Sequence, residues 1–106
     1  MINLISNLLG LNKKQKAMMQ EILKKDNYLI IDVRTPDEFN GGHVNGSKNI
    51  PLSLLSDKIS SIPKDVPVVL CCASGNRSGQ ATTFLKSNGY EQVYNGGSWF
   101  NVQAAL

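Results

Sequence analysis

Val68-Val69-Leu70-Cys71-Cys72-Ala73-Ser74-Gly75-Asn76-Arg77-Ser78 is the stretch that decides how this chain folds. Its apolar half reads as a strand buried on both faces, and Ser78 begins a helix-forming run that continues through Phe84, Leu85 and Lys86. Only a tight loop fits between such a strand and such a helix, and the backbone N–H groups of that loop converge on Cys72. A loop of this kind is a cradle for an anion. The helix N-terminus, the inward amides and Arg77 all favour thiolate over thiol, so Cys72 reads as an ionised nucleophile facing an anionic partner.

Outward from this loop, strand and helix signals alternate. Lys13 to Lys25 is rich in helix formers, with Ala17, Met18, Ile22, Met19 and Leu23 as its apolar side. Tyr28 to Val33 is a continuous apolar run broken only by Asp32, as a doubly buried strand requires. Thr35-Pro36-Asp37-Glu38 then supplies an N-cap hydroxyl, a proline at the first helical position and a glutamate at the third. A short strand is expected at Ser47 to Asn49, and a helix at Leu52 to Ser60 with Leu54, Leu55 and Ile59 inward. Val66 to Cys71 is the second buried strand, followed by a helix from Ser78 to Asn88 that Gly89 closes. A brief strand at Gln92 to Tyr94 leads into Asn95-Gly96-Gly97, and Ser98 caps a last helix carrying Trp99, Phe100 and Val102. The alternation predicts an α/β fold with a parallel sheet covered on both faces and ligands at the carboxyl ends of its strands.

Several separated motifs resemble the rhodanese family of sulfurtransferases: Asp32-Val33-Arg34, Glu38-Phe39, Gly42-His43-Val44-Asn45-Gly46, Asn49-Ile50-Pro51, the Cys72 loop and Gly96-Gly97-Ser98-Trp99. They occur in family order over about residues 24 to 106. The resemblance implies a rhodanese-like parallel sheet of four to five strands with helices on both faces. It divides the chain into a helical extension, residues 1–23, and a rhodanese domain, residues 24–106. The implied activity is transfer of a sulfane sulfur from thiosulfate or a persulfide to a thiol or cyanide-like acceptor through a Cys72 persulfide. Ala73, Ser74, Gly75, Asn76, Arg77 and Ser78 form the binding loop, and no cofactor or metal is called for. The chain departs from many family members at Ala73, where a basic residue is common; that departure weakens the case for thiosulfate as the physiological donor.

Two other readings compete. Counted from Cys71, the sequence Cys71-x5-Arg77-Ser78 satisfies the signature of cysteine-dependent phosphatases and related arsenate reductases. The glycine falls one place late for that pattern, however, and neighbouring strand residues point to opposite sides, so only one cysteine faces the cradle. Cys71 then reads as a small buried hydrophobe. The remaining reading is a persulfide carrier that works with a sulfur-accepting partner protein. Elsewhere, Asp32 and Arg34 read as a charge pair tying loops together, Glu38 as half of a capping box, His43 as a loop-fixing hydrogen bonder and Trp99 as core.

With 106 residues, 42% of them hydrophobic, the chain bounds a single core. The net charge of +3 is concentrated in Lys13, Lys14, Lys16, Lys24 and Lys25 without interleaved aromatics, which argues against nucleic acid. Two adjacent cysteines and one histidine make neither a disulfide framework nor a zinc site. A reduced, cytoplasmic setting is the default. Met1 to Leu11 is apolar, but no basic residue precedes it, Asn3, Ser6 and Asn7 interrupt it, and it is too short to span a bilayer. Ile2, Ile5 and Leu9 fall on one helical face, so a short helix docked on the domain is expected, with interfacial membrane contact as the alternative.

Overall fold

The computed structural model describes residues 12–106; the helix read into the first eleven residues lies outside them. Four parallel strands form one sheet in the order β2-β1-β3-β4: β1 (Leu29–Asp32), β2 (Lys48–Asn49), β3 (Val68–Cys72) and β4 (Val93–Ser98). Register pairs Leu29 with Val68 and Asp32 with Cys71, so the carboxyl ends of the two central strands lie side by side. All five β3 residues are buried, and their alternation splits the interior in two. Val68, Leu70 and Cys72 join Ile31, Val33, Leu55, Ile62 and Leu85 on one face, whereas Val69 and Cys71 join Met19, Ile22, Ile30, Val44 and Val102 on the other.

Helices cover both faces. α1 (Lys13–Leu23) and, near the chain end, α5 (Trp99–Ala105) cover the Cys71 side; α4 (Asn76–Ser87) covers the Cys72 side with Ala81 and Leu85. α1 buries Met19, Ile22 and Leu23, and leaves Ala17 exposed and Met18 at 43% exposure. The expected apolar side was therefore displaced at its N-terminal end: Met19, Ile22 and Leu23 stand at i, i+3 and i+4 on one face, whose centre is about a quarter of a turn from Met18's direction at 3.6 residues per turn. α2 (Pro36–Asn40) starts as its sequence predicts, with Thr35 and Glu38 exchanging capping-box bonds.

Between β2 and β3 the single helix expected over 52–60 is broken into a 3₁₀ turn (Leu52–Leu54), one α-helical turn, α3 (Leu55–Lys58), and a second 3₁₀ turn (Ile59–Ser61). The tighter winding aligns residues three apart. Leu52 and Leu55 thus turn inward together, while Leu54 is 43% exposed rather than buried. β3 starts two residues later than expected because Pro67 has no N–H for the ladder; its carbonyl instead accepts from Leu29 N–H at 2.9 Å. The shift carries Cys72 into the strand as its last residue, and α4 begins at Asn76, ahead of the expected Ser78.

β4 runs on through both glycines, where a loop was expected. A bulge makes this possible: Leu70 pairs with Asn95 and Cys71 with Gly97, leaving Gly96 as the extra residue. A Cβ on Gly96 would lie 2.7 Å from Val102 Cγ2 and 2.8 Å from Val69 Cγ1, so α5 and β3 close on this backbone only because it is bare. Gly96→Ala is expected to cost about 1–3 kcal/mol of stability, read as an earlier urea midpoint at unchanged slope; an unmoved midpoint would contradict the close packing.

Candidate active site

The three residues Ala73, Ser74 and Gly75 are all that separate β3 from α4. A turn this short requires a left-handed residue, and Gly75 supplies it at φ 99°, at the N-cap of α4. The consequence is that the helix start folds back over the strand end. Cys72 Sγ accepts from Gly75 N–H at 2.9 Å and from Ser78 N–H at 3.3 Å, and the Ser78 hydroxyl oxygen lies 3.3 Å away.

Burial of Cys72 opposes ionisation, but the bonds from the Ser78 hydroxyl and from the Ser78, Gly75 and Ser74 amides outweigh it, so the thiol is held below its ordinary pKa. Cys71, one residue earlier, has the opposite environment. It is fully buried among the apolar side chains of the other face, and burial, followed by the nearby Asp32 carboxylate, pushes its thiol far up. The two sulfurs are thus sorted by the pleat of one strand.

Arg77 leans away from the sulfur toward α2. Its Nη1 and Nη2 donate to Glu38 Oε1 and Oε2 at 2.6 and 2.9 Å. This two-pronged bond, followed by the Thr35 N–H, holds the Glu38 carboxyl down at about 2. Glu38 therefore has a second task that the capping box concealed: it fastens the cysteine loop to the helix after β1. The sequence signal for the pair is weak, since it joins residues 39 positions apart, and only the parallel pairing of β1 with β3 brings their following loops together.

Asn95 is the other residue that sequence reading missed. The bulge aims its side chain at the cysteine loop: Oδ1 accepts from the Ser78 hydroxyl at 2.7 Å and from Gly97 N–H at 2.9 Å, and Nδ2 donates to the Gly75 carbonyl at 3.3 Å. A polar residue just before two glycines, at the same sheet end as the cysteine, was the available clue.

The flanking motifs hold the strand ends in place. Arg34 Nη2 donates to Asp32 Oδ2 and to the Gly42 carbonyl, each at 2.7 Å, and its guanidinium lies 4.9 Å from the Trp99 ring centre. Asn49 Nδ2 bonds the carbonyls of Asp32 and Arg34, at 3.0 and 2.9 Å. His43 Nδ1 lies 2.8 Å from the Phe39 carbonyl and its ring stacks on Phe39, in keeping with a loop-fixing role. Trp99 is half-buried against the second core. A concavity of about 420 Å³ lies at the β2 edge, between Phe39, Lys48, Pro51 and Leu54, but no residue of the cysteine loop lines it. Among the described residues, no helix is long and apolar enough to cross a membrane.

The same architecture recurs in known proteins. The rhodanese-like domain family matches residues 15–105. The chain is 48% identical over 66 residues to the uncharacterized protein YqhL of Bacillus subtilis, a match that takes in 62% of this chain and 52% of that protein, about half its length. It is 36% identical over 80 residues to a sulfurtransferase of Allochromatium vinosum, covering 76% of this chain and 75% of the relative. The crystal structure of a rhodanese-related protein from Thermoplasma volcanium superimposes with a TM-score of 0.70 at 31% identity, over 84% of this chain and 86% of that one. Since the family match takes in every strand of the sheet and the whole turn from β3 into α4, this chain belongs to the rhodanese-like domain family.

Proposed function

We propose that this chain is a sulfurtransferase in which Cys72 carries a sulfane sulfur from donor to acceptor as an enzyme persulfide. The observation behind the reading is the cradle around one sulfur atom, with two backbone N–H groups and a hydroxyl oxygen within 3.3 Å of Cys72 Sγ. In the first half-reaction the thiolate attacks the outer sulfur of thiosulfate. The donor's S–S bond breaks, its electron pair leaves on sulfite, and Cys72 becomes a persulfide anion. In the second, a thiolate or cyanide attacks that outer sulfur, and the pair in the Cys72 S–S bond returns to Sγ as the regenerated thiolate. No oxidant or reductant is consumed, and two easier steps replace one difficult transfer.

The loop residues take distinct parts in this cycle. Ser74, Gly75 and Ser78 hold the inner sulfur, while the amides of Ala73, Asn76 and Arg77 serve the outer one; the latter two stand in the first turn of α4, where N–H groups have no carbonyl of their own helix to bond. Ala73 brings no charge to the rim and Arg77 is engaged by Glu38. An anionic donor is therefore met mainly by backbone dipoles, and a persulfide or a protein-bound sulfur suits the site as well as thiosulfate. A sulfur-accepting protein fits the second step as readily as a small thiol. A reducing, cytoplasmic setting suits a cycle that returns to a free thiolate each turn.

The phosphatase reading needs Cys71 as nucleophile, and the environment of that thiol, buried on the opposite face with its pKa driven up, argues against it. Intact-mass measurement after exposure to thiosulfate, and separately to glutathione persulfide, tests the proposal. The expected result is a gain of one sulfur that cyanide removes as thiocyanate. Failure to load from either donor, or hydrolysis of an aryl phosphate in its place, would overturn it.

A further inference from the structure

Ser78 has one hydroxyl proton and two claimants for it. Its oxygen lies 2.7 Å from Asn95 Oδ1 and 3.3 Å from Cys72 Sγ. When Cys72 is a thiol, all three groups are satisfied in series: S–H donates to the Ser78 oxygen, and the Ser78 hydroxyl donates to Asn95. When Cys72 is a thiolate the series cannot persist, because the sulfur has become an acceptor. The hydroxyl is then free to turn to Sγ, which leaves Asn95 Oδ1 its bond from Gly97 N–H, at 2.9 Å. We infer that Asn95 is a positioning residue that parks the Ser78 proton whenever the Cys72 sulfur is uncharged and releases it when charge appears there.

In the reaction proposed above, on which this inference rests, the hydroxyl is needed twice: on the resting thiolate, and again as Sγ regains its electron pair in the second half-reaction. In the persulfide between them the charge has moved to the outer sulfur, and the hydroxyl returns to Asn95. The donor is thus kept beside the sulfur without being bound to it through the whole cycle. Asn95 is held for this task by two further bonds of its own, to Gly97 N–H and to the Gly75 carbonyl. Its amide cannot turn over without pointing an NH₂ group at both Ser78 and Gly97 N–H.

Other ionisable groups surround the site but do not share this chain of bonds. Arg77 on α4 and Glu38 on α2 are occupied with each other, Asp32 and Arg34 at the end of β1 likewise, and Cys71 on β3 points to the opposite face. Tyr94 precedes Asn95 on β4. None of them bonds to the side chains of Ser78 or Asn95.

The test follows the ultraviolet absorbance of the Cys72 thiolate against pH, in a Cys71→Ala background, with no sulfur donor present. Asn95→Ala removes the competing acceptor, and the thiolate-to-thiol ratio at a fixed pH is expected to rise about three- to tenfold, the worth of one hydrogen bond. Asn95→Asp keeps the shape and makes a stronger, charged acceptor, and the ratio is expected to fall by at least as much. Ser78→Ala should also lower the ratio, and in that background Asn95→Ala should have no further effect. A merely structural role for Asn95 would move both substitutions the same way, or leave the effect of Asn95→Ala undiminished without Ser78; either result overturns the inference. If Asn95→Ala does not fold, the near-isosteric Asn95→Asp decides alone, and an unchanged or raised ratio overturns it. Because the titration uses no donor, its outcome is separate from that of the sulfur-loading experiment.

Discussion

Cys72→Ser is expected to abolish sulfur loading, to the level of a protein-free control, while Cys71→Ala loads to within about twofold of the unmodified chain. Two physical differences combine in the first variant. A serine hydroxyl in the same cradle stays protonated at neutral pH, and even its alkoxide is a hard nucleophile poorly matched to a polarisable sulfane sulfur. Donors that would stabilise the thiolate, Gly75 N–H at 2.9 Å and Ser78 N–H at 3.3 Å, then have no anion to hold. The rate is expected to fall by at least about 10³-fold, or roughly 4 kcal/mol of transition-state stabilisation. Cys71→Ala changes only packing: the side chain is fully buried on the far face, and alanine leaves no unpaired hydroxyl there. Intact mass after thiosulfate and the rate of thiocyanate release measure both variants, and the reverse pattern would transfer the chemistry to Cys71.

Arg34→Ala is expected to be the most damaging substitution for stability, at about 3–5 kcal/mol. Asp32 is fully buried, and among the described residues its carboxylate rests on Arg34 alone: the backbone N–H at 3.0 Å, Nε at 3.0 Å and Nη2 at 2.7 Å. Truncation leaves one backbone donor for a buried charge, and also removes the bond to the Gly42 carbonyl and the contact with Trp99. For a domain whose whole stability is on the order of 5–15 kcal/mol, that loss is a large share. Denaturant unfolding measures it. The double variant Asp32→Ala/Arg34→Ala should lose less than the sum of the two single losses, because it strands no charge. A loss below about 1 kcal/mol in Arg34→Ala would mean that Asp32 does not need its partner.

Much of this architecture was legible in the sequence, for reasons that are local. Tyr28 to Val33, Asp32 apart, and Val68 to Cys71 within the strand expected over Val66 to Cys71 are apolar without alternation, as strands buried on both faces require, and Thr35-Pro36-Asp37-Glu38 writes out a helix start within four residues. The Cys72 loop was legible because a strand, a short turn with glycine and a helix start adjoin in the chain. What escaped depended on partners distant in sequence. Met18 and Met19 are the same residue type, and only the docking of α1 on the sheet buries one and exposes the other. The course of β4 through Gly96 is fixed by how closely Val69 and Val102 approach, and the Glu38–Arg77 and Asn95–Ser78 bonds follow from which strand ends are neighbours. No period or propensity along the chain records these contacts.

The two-sided burial of β3 makes it a matter of parity which sulfur meets the helix start. Shifting that strand's pairing by a single position would keep its composition and hydrophobicity, yet it would put Cys71 under the helix start and send Cys72 among the valines. What decides which sulfur lies in the cradle is therefore distributed over features with no chemistry of their own: a proline that delays the first rung of the ladder and a glycine bulge that locks the last.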